Sequence, residues 1–179
     1  VGILTGQIAK SMGCKVVGLA GTDEKCKRLK DEFQFDDCIS YKNVDLLKEI
    51  KKACPDGVDV YFDNVGGQIL EIVLFRMNMK GRIVCCGAVS QYDGTNPIGP
   101  RNLPGLLIVK RLKMEGFIVM DYAKEHGNAI KHLSEMNAAG DIKVTEDITE
   151  GLENAPDALI GLLNGDNFGK RMVRVTADP

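Results

Sequence analysis

The sequence predicts an α/β fold, a doubly wound parallel sheet covered by helices on both faces. Three observations predict it. Helical and extended stretches alternate four times between Val1 and Cys86, at the short spacing of βα units. The extended stretches include short, near-continuous apolar runs such as KVVGLA (Lys15–Ala20) and RIVCC (Arg82–Cys86), the composition of strands buried on both faces. The strands of this series run out into small, glycine-rich or hydroxyl-bearing residues, as strands do where a sheet receives a ligand.

Taken in order, Val1–Met12 carries Ile3, Leu4, Ile8 and Met12 at helical spacing, and Gly13 ends that helix. Lys15–Ala20 is a strand. Thr22–Phe33 is a charged helix with Thr22 or Asp23 as its cap. Asp37–Tyr41 is a short strand, and Asn43–Ala53 a helix with Leu46, Leu47 and Ile50 on one side. Pro55-Asp56-Gly57 makes a turn. Val58–Phe62 is a strand ending at Asp63, Gln68–Met79 a helix closed by Gly81, and Arg82–Cys86 a strand. Gln91–Arg101, with Asp93, Gly94, Asn96, Pro97, Gly99 and Pro100, is a long loop. Leu103–Leu112 is helical, Lys113–Met120 extended, and Tyr122–Ala139 a helix with Ile130, Leu133 and Met136 on one face. Beyond Gly140, Ile142–Ile148 is extended, Asn154–Leu163 helical, Gly165-Asp166-Asn167 a turn and Lys170–Val175 a last strand.

Composition narrows the function. Apolar residues make up 44% of 179, enough for a full core. Lysine and arginine total 23 against 25 acidic residues, a net charge of -2 with no single-sign run, so no nucleic-acid footprint is expected. No apolar run reaches the roughly 20 residues of a membrane span. No secretory leader is visible, and the expected location is the cytoplasm. The six cysteines (Cys14, Cys26, Cys38, Cys54, Cys85, Cys86) form no C-x-x-C pair and do not cluster with the two histidines, which disfavours zinc and points to reduced thiols. The vicinal Cys85 and Cys86 read as strand packing rather than as a redox device. His126 and His132, six residues apart, point about 120° from each other on a helix and share no face. No Tyr-x-x-x-Lys pair, nucleophile elbow or Walker loop is present.

The chemistry sits at the strand ends. The first apolar run delivers Gly21, Thr22, Asp23, Glu24 and Lys25. A carboxylate there would receive a ribose 2′-OH, whereas a cation with small hydroxyls would receive a 2′-phosphate, and spacing alone leaves NAD and NADP both open. The next strand ends at Tyr41-Lys42. The third delivers Asp63-Asn64-Val65-Gly66-Gly67, where two glycines admit a ligand close to the backbone and Asn64 can read a polar edge; Asp63 or Asn64 could equally cap the following helix. The fourth delivers Gly87, Ala88, Val89, Ser90, Gln91 and Tyr92. Together they make dinucleotide binding, and hence a Rossmann-type sheet, the leading reading. Val1 and Gly2 read as the end of a pyrophosphate loop, with the following helix N-terminus facing the anion.

The segments VGxxxGQIAKxxGCKVVGxAGTDEK, SYKN, CPDGVDVYFDNVGG, GRIVCCGAVSQY, KMEGFIVMDY, ITEGLENAPDAL and NGDNFGK resemble the zinc-independent medium-chain dehydrogenase/reductases, and within them the prostaglandin reductase group, also called leukotriene 12-hydroxydehydrogenase or alkenal reductase. The resemblance implies NADPH-dependent reduction of the carbon–carbon double bond of α,β-unsaturated ketones and aldehydes. It implies that Lys25 and Tyr41 meet the 2′-phosphate, favouring NADP. It further implies that Asn64 lies near the adenosine-side ribose or bridging groups, and that Cys86, Gly87, Ala88, Val89, Ser90 and Tyr92 line the nicotinamide side. Phe117, Ile118 and Val119 would pack near the nicotinamide ring and Asn167 would reach it from the C-terminal segment. Tyr92 would act on the substrate, its phenol donating to developing enolate charge.

The resemblance covers only the C-terminal half of such enzymes. It therefore implies a dinucleotide-binding domain over 1–140, lacking its first strand, and a segment over 141–179 that returns to an absent GroES-like catalytic domain. The central place of that strand in the order 3-2-1-4-5-6 leaves a gap between Lys15–Ala20 and Val58–Phe62. The isolated chain is expected to be catalytically weak or dead. A homodimer through edge strands such as Lys113–Met120 is expected. The alternatives are a non-catalytic nucleotide-binding or dimerisation module, and a quinone oxidoreductase.

Overall fold

The computed structural model of the chain describes residues 1–42, 44–92 and 99–176, which form two compact units. One comprises Val1, 3–40 and 132–179, the other Gly2 and 41–131. Among the described residues the strands pair in four parallel ladders that make three sheets.

In the first unit, α1 (Gly2–Ser11) leads into β1 (Val17–Ala20), α2 (Asp23–Phe33) and β2 (Asp37–Ser40). α1 closes in a Schellman turn: Gly13, at φ 81°, donates to the Lys10 carbonyl (2.9 Å) and Cys14 to that of Ala9 (3.0 Å). β1 and β2 pair in register, Val17 opposite Asp37 and Ala20 opposite Ser40. Leu29, Phe33 and Phe35 form the core, joined by Ile3, Val16, Ala20, Cys38 and Phe168. Asp36 ties three elements: it accepts from Lys10 Nζ (2.9 and 3.0 Å) and from Val16 N (2.6 Å). Buried Gln7 donates to the Lys143 carbonyl (3.0 Å) and accepts its N–H (2.7 Å), pinning α1 to the strand-like segment ahead of β6. β6 (Glu146–Glu150), α7 (Ala155–Asn164) and β7 (Lys170–Arg174) complete the unit, with Arg171 donating to Asp147 at 2.9 Å.

The second unit orders β3 (Val58–Asp63), β4 (Met77–Cys85) and β5 (Lys113–Gly116) side by side; α3 (Leu46–Ala53) precedes β3, and α4 (Gly67–Arg76) and α5 (Leu103–Lys110) lie between the strands in sequence. Its buried residues include Leu46, Ile50, Leu70, Val73, Leu74, Met77 and Ile83. α6 (His126–Ala139) carries the chain back to the first unit. Among the described residues no ladder joins β1 to β3.

Four expectations change. The helix expected over Gln68–Met79 stops at Arg76, and Met77 already pairs with Val58 as the first residue of β4. The Lys110 ammonium holds that junction, donating to the carbonyls of Phe75 (2.8 Å) and Met77 (2.7 Å). Lys80, at φ 61°, and Gly81 then lie inside β4, near the register shift opposite Val58 and Val60, rather than at a helix end. The strand expected over Lys113–Met120 is paired only to Gly116, because its partner β4 ends at Cys85; Val119–Glu125 instead coils into a 3₁₀ helix ahead of α6. The helix expected from Asn43 begins at Leu46, capped by Asp45, whose carboxylate accepts from Lys48 N at 3.1 Å; Asn43 itself lies outside the described residues. Of the loop Gln91–Arg101, Asp93, Gly94, Asn96 and Pro97 also lie outside them. His126 and His132 are exposed.

Two predictions follow from the first unit. A Cβ at Gly6 would run into the Phe35 ring. Gly6→Val should therefore cost about 2 kcal/mol or more by urea unfolding, overpacking outweighing a few tenths of helix propensity. The Lys10 ammonium and then the Val16 N–H hold the Asp36 carboxyl below the usual range. A lowered folded pKa gives stability that is present above the ordinary Asp value of about 3.9 and lost as pH falls through and below it. Asp36→Asn should be less stable than the parent by about 0.5–1 kcal/mol near neutral pH, with the difference shrinking below about pH 4.

Candidate functional site

At the carboxyl end of β3 the buried Asp63 carboxylate organises the turn. A single oxygen, Oδ1, accepts from Tyr61 OH (3.0 Å), Val65 N (3.0 Å) and Gly66 N (2.8 Å). Neither Asp63 nor Asn64 caps α4; its N-cap is Gly66, at φ 69°, a conformation that favours glycine. Burial, then the Asp63 charge, pushes the Tyr61 phenol up, so it remains the donor.

The chain leaving β4 is stitched to this turn. Cys86 N and Gly87 N donate to the Asp63 carbonyl (2.7 and 3.2 Å), Val89 N to that of Asn64 (3.3 Å), and Ser90 N and Oγ to that of Val65 (3.1 and 2.6 Å). The fit is close: a Cβ at Gly87 would stand 2.5 Å from Asn64 Oδ1, and one at Gly66 3.3 Å from Ala88 Cβ. Tyr92 folds its phenol back to accept from Ala88 N at 3.3 Å, yet stays 70% exposed. Burial, then Asp63, pushes the Cys85 thiol up, so it behaves as a small neutral side chain.

Beside this network lies an open hollow of about 530 Å³, lined by Cys85, Cys86, Gly87, Ala88, Tyr92, Gly116, Phe117, Ile118 and Asp121. Phe117 meets Tyr122 edge-on at 5.9 Å between centroids. Of the residues expected on the nicotinamide side, the hollow gathers Cys86, Gly87, Ala88, Tyr92, Phe117 and Ile118. Val89, Ser90 and Val119 are not among its lining. The Ser90 hydroxyl is committed to Val65, and Val119 is 74% exposed on the 3₁₀ helix. Asn64 stands behind Gly87. Tyr41, half-buried, follows β2 and belongs to this second unit. Sequence reasoning missed Cys85, Gly116 and Asp121 as lining. It considered Asp63 only as a cap, although an aspartate two residues before Val-Gly-Gly signals an Asx turn.

The first unit holds the remaining expected residues. Gly21 follows β1, and Thr22 Oγ1 accepts from Lys25 N at 3.3 Å, capping α2. Lys25 Nζ donates to the Gly165 carbonyl, and Asn167 Nδ2 to that of Gly169 (2.9 Å). The Arg28 guanidinium lies 3.7 Å from the centroid of the Phe168 ring, and Phe168 meets Phe33 at 5.9 Å. The 165–168 turn thus rests on α2. Val1 is exposed as the N-cap of α1, which has no side-chain cap, and a Cβ at Gly2 would meet nothing.

Among the described residues no group of three or more His, Cys, Asp and Glu is placed to hold a metal ion. The three protein ligands of a catalytic zinc are therefore not found among them.

Parallel ladders, helices between their strands and glycine-rich strand exits define a Rossmann-type dinucleotide-binding fold. The sequence matches the zinc-binding dehydrogenase family over residues 1–135, and the chain belongs to that family. It is 45% identical to an NADP(+)-dependent 2-alkenal reductase of Nicotiana tabacum, over 99% of this chain and 52% of the relative. It is 46% identical to prostaglandin reductase 1 of Bos taurus, over 97% of this chain and 53% of the relative. The crystal structure of CurA from Vibrio vulnificus in complex with NADPH superposes with a TM-score of 0.94 at 43% identity, over 99% of this chain and 54% of that one. The chain spans about half the length of the curated relatives it matches.

Replacing Asp63 by alanine leaves three donors facing a buried site without their acceptor. Asp63→Ala should lower unfolding stability by about 2–4 kcal/mol in urea titrations, well beyond the effect of losing one exposed hydrogen bond.

Proposed function

We propose that this chain is the NADPH-binding half of a reductase that saturates the carbon–carbon double bond of α,β-unsaturated ketones and aldehydes, of the 15-oxoprostaglandin or alkenal type. The observation that carries this reading is the hollow in the second unit, where the exits of β4 and β5 bring Cys86, Gly87, Ala88, Tyr92, Phe117 and Ile118 together. Backbone and small side chains there leave room for a flat ring, and Phe117 and Ile118 supply an apolar wall. The names of the relatives, a 2-alkenal reductase and a prostaglandin reductase, and the NADPH in CurA support the same reading.

Bound NADPH would supply the hydride that adds to the β carbon of the enone. The chain's own residues bind and orient. The first turn of α1 faces the pyrophosphate with unpaired N–H groups. Lys25 receives the 2′-phosphate. Lys25 leaves the Gly165 carbonyl to do so. Asn64 lies toward the adenosine-side ribose or bridging groups, and Val89, Ser90 and Val119 lie toward the nicotinamide side. Tyr92 donates to the oxygen on which negative charge develops, after releasing its contact with Ala88 N. No step is assigned to zinc. We place the enzyme in the cytoplasm. Among the described residues no helix is long and apolar enough to cross a membrane. We also propose a homodimer joined along β5, whose outer edge carries no partner strand among the described residues.

Titration of the chain with NADPH and NADH tests the cofactor half of this reading. NADPH should bind at least tenfold more tightly. Lys25→Ala should weaken NADPH about tenfold, or ~1.4 kcal/mol, and leave NADH nearly unchanged. Equal affinity for the two cofactors would overturn the 2′-phosphate assignment. Enone turnover is read on the full-length protein, and its absence there would overturn the reaction.

A further inference from the structure

A pair of thiols in the first unit belongs to none of the machinery above. Cys26 sits in the first turns of α2 and is buried; Cys38 sits in β2 and is half-buried. Their sulfurs lie 2.9 Å apart across 12 residues of sequence. That is about 0.9 Å beyond the roughly 2.05 Å of a disulfide bond. The vicinal Cys85 and Cys86 offer nothing similar, since adjacent residues of an extended chain point to opposite faces. Cys14 is exposed.

We propose that Cys26 and Cys38 form an oxidative modification site: a hydroperoxide converts them to an intramolecular disulfide that fastens α2 to β2. The half-buried Cys38 is the thiol a small oxidant can reach. Cys38 gives up its proton, its thiolate attacks the O–O bond to give a sulfenic acid, and the hydroperoxide's other oxygen takes that proton and leaves as an alcohol, or as water for hydrogen peroxide. Cys26 then attacks the sulfenic sulfur, the S–S bond forms, and a second molecule leaves as water. Two thiols lose two electrons and two protons, and one peroxide bond is reduced. Only a small closure is required, because the two sulfurs already face each other. Burial pushes the Cys38 thiol up, which keeps it protonated and slows its oxidation, so the pair stays reduced except under a high oxidant load.

The test uses the unaltered chain, so it does not depend on any variant folding. The protein is exposed to hydrogen peroxide, remaining thiols are blocked with N-ethylmaleimide, and the chain is unfolded and cut with Lys-C, which cleaves after Lys27 and Lys30 between the two cysteines. Non-reducing mass spectrometry should find the Cys26 and Cys38 peptides joined, lighter by two hydrogens than their sum. The maleimide label should be lost from these two cysteines and kept on Cys14. The joined species should vanish with dithiothreitol and be absent from Cys26→Ser and Cys38→Ser. Recovery of both residues as labelled thiols or as unlinked sulfonic acids from folded, oxidised protein would overturn the proposal. So would cross-links that join either one mainly to another cysteine.

Discussion

The second unit is organised around one buried carboxylate oxygen. Asp63 Oδ1 holds the two amides of the turn that follows β3 and the phenol of Tyr61 on the same strand. With the turn fixed, the carbonyls of Asp63, Asn64 and Val65 point outward in sequence, and each receives an amide from the chain leaving β4. Two glycine-bearing segments therefore form one body rather than two independent loops. Glycine at 66 and 87 is what lets them approach so closely. The hollow along Cys86–Ala88 and Phe117–Ile118 takes its floor from this arrangement.

A different logic governs the first unit. There the exit of β1 is closed by local bonds: Thr22 caps α2, Lys25 reaches the Gly165 carbonyl, and Arg28 covers Phe168. The short turn between α7 and β7 is thereby joined to α2. A ligand that calls on Lys25 must exchange a neutral carbonyl for its own anionic group. The exchange favours a phosphate, because a charged acceptor makes the stronger bond to an ammonium.

Much of this was legible in the sequence, for physical reasons. Buried parallel strands must be apolar on both faces, so KVVGLA and RIVCC stand out, and the residues after them fall at strand ends wherever the strand begins. The fold class and the Gly87, Ala88 and Tyr92 part of the hollow follow from that; Cys86, Phe117 and Ile118 come only from the family resemblance. Boundaries set by pairing were not legible. Met77 continues a helical stripe after Val73, and only the ladder with Val58 and the ammonium of Lys110 turn it into strand. Val119 reads as strand, but β4 has no residues left to pair with it. Asp63 reads as a helix cap because the pattern is the same; its burial and its bond to Tyr61 exist only in three dimensions. The meeting of Cys26 and Cys38 is invisible at a spacing that matches no motif.

Amide hydrogen exchange on the chain, with and without NADPH, tests most directly whether the Asp63 turn and the β4 exit form one cofactor-facing body. The amides of Val65, Gly66, Cys86, Gly87, Val89 and Ser90 should be protected together without cofactor and slow further when NADPH is added. Exchange of the 86–90 amides at unstructured rates, or no response of either segment to saturating NADPH, would contradict the account.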